Sequence, residues 1–300
     1  MDVQMNDDIR IGALWEQKKI SWDECRVVLI SLPCDEGVRR NGGRTGSAQA
    51  PDEILGFLRK LCPDPRHYDL HRSLIESVYC TTIDVTEDLE ADQHLLAAEV
   101  AKALKTGKIP VILGGGHETS YGHFLGYVEA KMEVSILNWD AHPDVRPLKA
   151  GKGHSGSPFR QAAEHPSGML KHYSVMGLQP QSVAVAHLEY LHLKGYQYVW
   201  AKDLSPDIIQ DMIDKASIDT MMTIDLDVID QSYAPGVSAP NAAGLDSEMV
   251  YQIAYLAGKN PNIRSFDIVE LNPNYDRDHQ TSRLAALSLW YLLLGIAQRS

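Results

Sequence analysis

The stretch IPVILGGGHETSYGHFLGYVEA, residues 109 to 130, is the part of the chain on which the fold reading turns. Its first five residues are an apolar run of strand length, three glycines follow, and a helix-forming segment occupies 119 to 131. The same order recurs outward in both directions. Strands are predicted at 26–32, 77–83, 109–113, 134–139, 173–178, 196–200, 220–226 and 263–269. Helical segments fall near 51–61, 91–106, 119–131, 157–165, 181–193, 205–216, 246–258 and 280–297. Start signals precede several of them: Pro51 with Asp52 and Glu53, Ser205 with Pro206, and Asp246. Alternation of this kind marks βα units with parallel strands, and the continuous apolar character of the strands suits a sheet covered on both faces. The pattern by itself permits an open three-layer α/β/α sheet or a closed eight-fold barrel. In either, ligands bind at the carboxyl ends of the strands.

Composition narrows the choice of partners. The chain of 300 residues carries 28 Lys and Arg against 40 Asp and Glu, a formal charge of −12, which argues against nucleic acid or an anionic membrane surface. Apolar residues at 44% allow a large core. No apolar stretch reaches the roughly 20 residues needed to span a bilayer, and the N-terminus lacks a basic-then-apolar signal. Cys25, Cys34, Cys62 and Cys80 have no metal-type or redox-type spacing, so they read as core residues in a reducing, cytoplasmic setting. With no Pro/Ser linker, charge block or repeat to divide it, the chain reads as one domain over 1–300.

Chemistry-bearing residues gather at three of the predicted strand ends. His117 follows Gly114, Gly115 and Gly116, where a tight turn leaves it at the mouth of the sheet; a satisfied turn histidine is the alternative. Asp140, His142 and Asp144 stand at i, i+2 and i+4, so in extended chain all three project to one side. A polar turn is the alternative there. Asp225 and Asp227 repeat the spacing at the seventh strand. Two carboxylates side by side at a core edge repel each other unless a cation sits between them. Six such groups exceed what one ion with an open site requires and suffice for two. The lack of cysteine among them favours a hard ion such as Mn²⁺, with Co²⁺ or Ni²⁺ also able to occupy N/O sites.

Together, GGGHE at 114–118, DAHPD at 140–144, DLDVID at 225–230, APGVSAP at 234–240 and GR-x-G-x-x-x-x-P at 43–51 resemble the signatures of the ureohydrolases, the family of arginase, agmatinase and formimidoylglutamase. The resemblance implies a three-layer α/β/α fold with an eight-stranded parallel sheet. It also implies one Mn²⁺ held by His117, Asp140, Asp144 and Asp225 and another by Asp140, His142, Asp225 and Asp227, with Asp140 and Asp225 bridging. A hydroxide shared by the ions would attack an amidine or guanidine carbon. Glu270 matches the family carboxylate that pairs with the delocalised cation of the substrate, and His154 matches its proton-relaying histidine; a solvated strand-exit Glu and a loop-capping His are the alternatives. Arg146 stands where arginase-type sequences have Asn, and it offers a carboxylate a bidentate clamp unless it serves as an ion-pair partner. DVRP at 144–147 with HSGSPF at 154–159, RRNGGR-x-G at 39–46 and ELNPNYDRD at 270–278 are most similar to the formimidoylglutamase branch, whose dicarboxylate product fits Arg146 with Arg44 as a helper. The expected substrate is then N-formimidoyl-L-glutamate, split to L-glutamate and formamide. The alternatives are a guanidino-compound hydrolase releasing urea and a non-catalytic metal-binding protein. Family resemblance further implies a homo-oligomer, trimer or hexamer.

Overall fold

The computed structural model describes residues 8–86, 88–216 and 218–299. Its strands are β1 (Val27–Leu32), β2 (Val78–Thr82), β3 (Ile109–Gly114), β4 (Val134–Trp139), β5 (Leu170–Leu178), β6 (Gln197–Trp200), β7 (Thr220–Asp225) and β8 (Ile263–Val269). They form one sheet in the order β2-β1-β3-β8-β7-β4-β5-β6, every neighbouring pair parallel. β2 and β6 are open edges, so the sheet is open rather than a barrel. Eight strands were expected and each expected range overlaps one of these.

The helices are α1 (Ile11–Gln17), α2 (Glu36–Asn41), α3 (Ala50–Leu58), α4 (Tyr68–Ile75), α5 (Leu89–Lys105), α6 (Thr119–Ala130), α7 (Pro158–Glu164), α8 (Val185–Lys194), α9 (Pro206–Asp214), α10 (Ser247–Lys259) and α11 (Gln280–Ala297). Ser205 and Asp246 cap α9 and α10 by accepting from the backbone N–H groups of Ile208 and Met249. Two apolar cores separate on side-chain parity: in β1, Val27 and Leu29 face the core shared with α3, α10 and α11, while Val28, Ile30 and Leu32 face the core shared with α5 and α6. The result is the three-layer sandwich. No helix among the described residues is long and apolar enough to cross a membrane.

Three helices were not anticipated. α1, α2 and α4 have seven, six and eight residues, too few turns to show a periodic stripe. The expectation that all four cysteines are core residues also needs correction: Cys25 and Cys34 are buried, Cys62 and Cys80 are exposed, and all are free. Cys62 lies beyond α3 and Cys80 on an edge strand, where position rather than residue type decides exposure.

The link from β3 to α6 shows why three glycines are required. The Gly116 N–H donates to the Cys34 carbonyl at 3.1 Å, which draws this turn against the exit of β1. A Cβ on Gly115 would lie 1.9 Å from that same oxygen. Backbone cannot yield as a flexible side chain does, so Gly115→Ala is expected to cost about 1–3 kcal/mol through forced displacement of the turn. Thermal denaturation checks this; an unchanged Tm would show that the turn has slack.

Candidate metal centre

The four central strands, β3, β8, β7 and β4, deliver the chemistry side by side. His117 follows β3, Glu270 follows β8, Asp225 ends β7, and Asp140 follows β4. Asp140 lies between the two imidazoles. Its Oδ2 is 3.2 Å from Nδ1 of His117, and its Oδ1 is 3.4 Å from Nδ1 of His142. Asp144 Oδ2 and Asp225 Oδ2 each lie 3.0 Å from the same His117 nitrogen, while Asp227 Oδ2 is 3.0 Å from His142 Nδ1. Two ligand-type groups result: His117 with Asp140, Asp144 and Asp225, and Asp140 with His142 and Asp227. Asp140 belongs to both, as expected of a bridge. Asp225 stands in the first group only, its Oδ1 accepting from the Asp227 backbone N–H at 2.8 Å.

Local chain geometry aims these side chains. The Asp140 Oδ1 accepts from the His142 backbone N–H, and its Oδ2 accepts from Nδ2 of Asn138 at 3.1 Å. Asn138 is held by the Tyr173 hydroxyl, which donates to the Pro143 carbonyl at 2.8 Å. Phe159 closes the His117 side edge-to-face, with ring centroids 5.1 Å apart. Asp144 and Glu270 have φ of 44° and 68°, left-handed conformations that non-glycine residues seldom adopt.

The donor set fits a cation. Nδ1 of His117 is buried with three carboxylate oxygens close by, yet it is aligned to hydrogen-bond none of them. One ring N–H would serve a single oxygen, whereas a divalent ion among the four groups would satisfy all of them. Protons replace that charge only partly. Burial, then the neighbouring carboxylates Asp227 and Asp140, push Asp225 well above the ordinary carboxylate range. Asp227 is raised chiefly by burial, and Glu270 by burial and the charges of Asp225 and Glu118. Burial opposes the charge on His117 and His142, but the carboxylates around them outweigh it and hold both imidazoles protonated well above the usual histidine range.

A cavity of about 220 Å³ opens beside these groups, lined among others by His142, Asp144, Asp225, Asp227, Arg146 and Glu270. A larger one of about 310 Å³ lies at the amino ends of β4 to β7 and has no carboxylate in its lining. Asn41, Ser155 and Ser238, which also line the smaller cavity, were not singled out from sequence. Asn41 closes α2, one of the unanticipated helices. Arg146 hydrogen-bonds a single side chain, Asn41 at 3.4 Å, and forms no ion pair among the described residues.

Two expected site residues take other positions. Arg44 is absent from the cavity lining: its guanidinium donates to the Val237 and Ser238 carbonyls and stacks on Tyr275 at 4.0 Å. It ties the cavity wall together instead of facing a ligand. His154 is fully buried, with Nε2 donating to the Pro147 carbonyl and Nδ1 accepting from the Gly156 N–H, both at 3.1 Å. Both ring nitrogens are turned to backbone and His154 does not line the cavity, so in this position neither nitrogen faces a departing amine. It braces Gly156, whose carbonyl accepts from the Arg146 N–H at 2.9 Å.

Fold and site together define an α/β protein with a two-group carboxylate and imidazole centre at the carboxyl edge of a parallel sheet. The chain matches the arginase family over residues 25–295 and belongs to that family. It is 37% identical to the formimidoylglutamase of Rhodococcus jostii (strain RHA1) over 278 residues, 86% of this chain and 82% of that one. It is 33% identical to that of Clostridium tetani (strain Massachusetts / E88) over 287 residues, 90% of this chain and 82% of the relative. Trypanosoma cruzi formiminoglutamase with Mn²⁺₂ superposes with a TM-score of 0.88 at 28% identity, covering 98% of this chain and 100% of that structure.

The electrostatics give a signed expectation for metal loading. A cation favours the ionised carboxylates and neutral imidazoles, so binding should expel the protons that these groups hold without it, and affinity should fall as pH falls. Calorimetric titration with Mn²⁺ in buffers of different ionisation enthalpy measures the release; heats independent of buffer would contradict it. At a hundredfold excess over Kd, each ion should stabilise the fold by about 2.7 kcal/mol.

Proposed function

We propose that this chain is a binuclear metal hydrolase that cleaves N-formimidoyl-L-glutamate to L-glutamate and formamide. The observation that carries the reading is a single cavity in which a carboxylate and imidazole centre, a partnerless Glu270 oxygen and a guanidinium without an ion pair all meet. Two divalent ions, Mn²⁺ by likeness to the T. cruzi enzyme, would activate a shared water and polarise the amidine carbon. His117, Asp140, Asp144 and Asp225 would hold one, and Asp140, His142 and Asp227 the other, with Asp225 close at hand.

The remaining residues bind and orient. Glu270 Oε1 accepts from the His117 backbone N–H at 2.9 Å, which leaves the buried Oε2 to pair with an amidinium N–H. Arg146, held through its backbone by Gly156, would clamp a substrate carboxylate. Cations such as agmatine are repelled by the same guanidinium. Addition of water across the amidine carbon and loss of the C–N bond to the amino acid yield formamide and glutamate. Residues from 41 to 270 meet in this one cavity, so the catalytic unit would be the chain as a whole.

A product assay across formimidoylglutamate, arginine, agmatine and guanidinobutyrate separates the branches of the family. Formamide from formimidoylglutamate is the expected outcome, and urea from a guanidino compound without turnover of formimidoylglutamate would refute the substrate. Arg146→Ala should raise KM about tenfold to a hundredfold, the worth of a charged hydrogen bond, while largely sparing kcat. An unchanged KM would remove Arg146 from substrate binding.

A further inference from the structure

Behind His117, away from the cavity, runs a buried chain of polar side chains that the proposed reaction does not use. Nε2 of His117 is 3.1 Å from Oγ1 of Thr223 on β7, which is 3.3 Å from Oγ of Ser120 on α6. The Ser120 hydroxyl in turn lies 3.1 Å from both carboxylate oxygens of Asp267 on β8. From the far side, His123 Nδ1 meets Asp267 at 2.7 Å, while His123 Nε2 and the Tyr127 hydroxyl each lie 2.6 Å from Oγ of Ser265. All seven residues are at most 1% exposed. The arrangement follows from the fold: Thr223 and Asp267 are register partners on adjacent strands, and Ser120, His123 and Tyr127 share one face of α6.

Counting hydrogens gives this chain a direction. Asp267 as a carboxylate only accepts, so the single Ser120 hydrogen goes to it. The Thr223 to Ser120 contact is then a hydrogen bond only if Thr223 donates. Having donated, Thr223 can only accept from His117, which places the ring hydrogen on Nε2. The opposite order, Thr223 donating to Nε2, loses the Thr223 to Ser120 bond, sets two lone pairs face to face, and puts a hydrogen on Nδ1, where a metal must bind. We infer that Asp267, acting through Ser120 and Thr223, is a positioning residue that fixes the His117 tautomer and keeps the Nδ1 lone pair turned toward the metal centre. This rests on the reading of His117 as a ligand. Outer hydrogen-bond partners of metal-bound histidine typically govern affinity by about tenfold to a hundredfold.

The experiment is Mn²⁺ titration of the metal-free protein by calorimetry, with free Mn²⁺ followed by electron paramagnetic resonance. Thr223→Val removes the acceptor at nearly constant volume and should weaken one of the two ions by tenfold or more, with the other within about threefold. Thr223→Ser, which keeps the hydroxyl, should restore wild-type affinity. Asp267→Asn should lose at least as much as Thr223→Val, because an amide can donate to Ser120 and reverse the chain; if that variant does not fold, the threonine pair decides. Wild-type affinity for both ions in Thr223→Val, equal weakening of both ions, or failure of Thr223→Ser to restore binding would each overturn the assignment. Failure of the wild-type protein to bind two ions would instead remove the reading of the metal centre on which it stands.

Discussion

Four carboxylates and two imidazoles gather at the carboxyl ends of three central strands, β3, β7 and β4, with all but His142 removed from solvent almost entirely. Charges of one sign at such distances in a poorly solvated place are tolerated only with compensation, and much of the molecule around them serves that end. Two strands bring Asp140 and Asp225 to the same height. The glycine turn against the Cys34 carbonyl lets His117 reach them, and backbone N–H groups of Ala141, His142 and Asp227 point at the carboxylates. What these donors leave uncompensated is a charge of the kind a pair of divalent ions supplies.

The same constraint explains the division of labour around the cavity. One wall carries Glu270 with a buried oxygen and no partner, the other carries Arg146 with a weak neutral neighbour. Groups left without partners in a protein interior are costly, and they accumulate where a ligand will complete them. Arg44 and His154 have the opposite character. Each has spent its polar atoms on the protein's own backbone, one holding the 237–238 segment, the other holding the loop beneath Arg146. They shape the cavity without facing it.

Much of this was legible in the order of residues. The inner strands announce themselves because both faces are covered, so they read as largely apolar runs, and the metal-type residues sit at strand ends with a spacing that geometry makes meaningful. The role of His154 was not legible, because its partners, Pro147 and Gly156, are backbone atoms that leave no mark on residue identity. Arg44 was misplaced for a similar reason, its carbonyl partners lying nearly two hundred residues away. Thr223 offered a signal that passed unread: a polar residue inside the run TMMTID, two before Asp225 and hence on the same face. Helix α2 is too short for periodicity, and with it went Asn41.

The positive φ at Glu270 carries a consequence for how such a sequence can drift. Glycine would relax that backbone by removing the Cβ, so the residue that best suits the chain at position 270 is one that cannot pair with an amidinium. Backbone conformation alone would favour glycine here, although the His117 N–H would then lose its Oε1 acceptor. A glutamate there persists against the local conformational preference, and its retention in a lineage therefore reports continuing demand for the chemistry more directly than retention of a residue that also holds the core together.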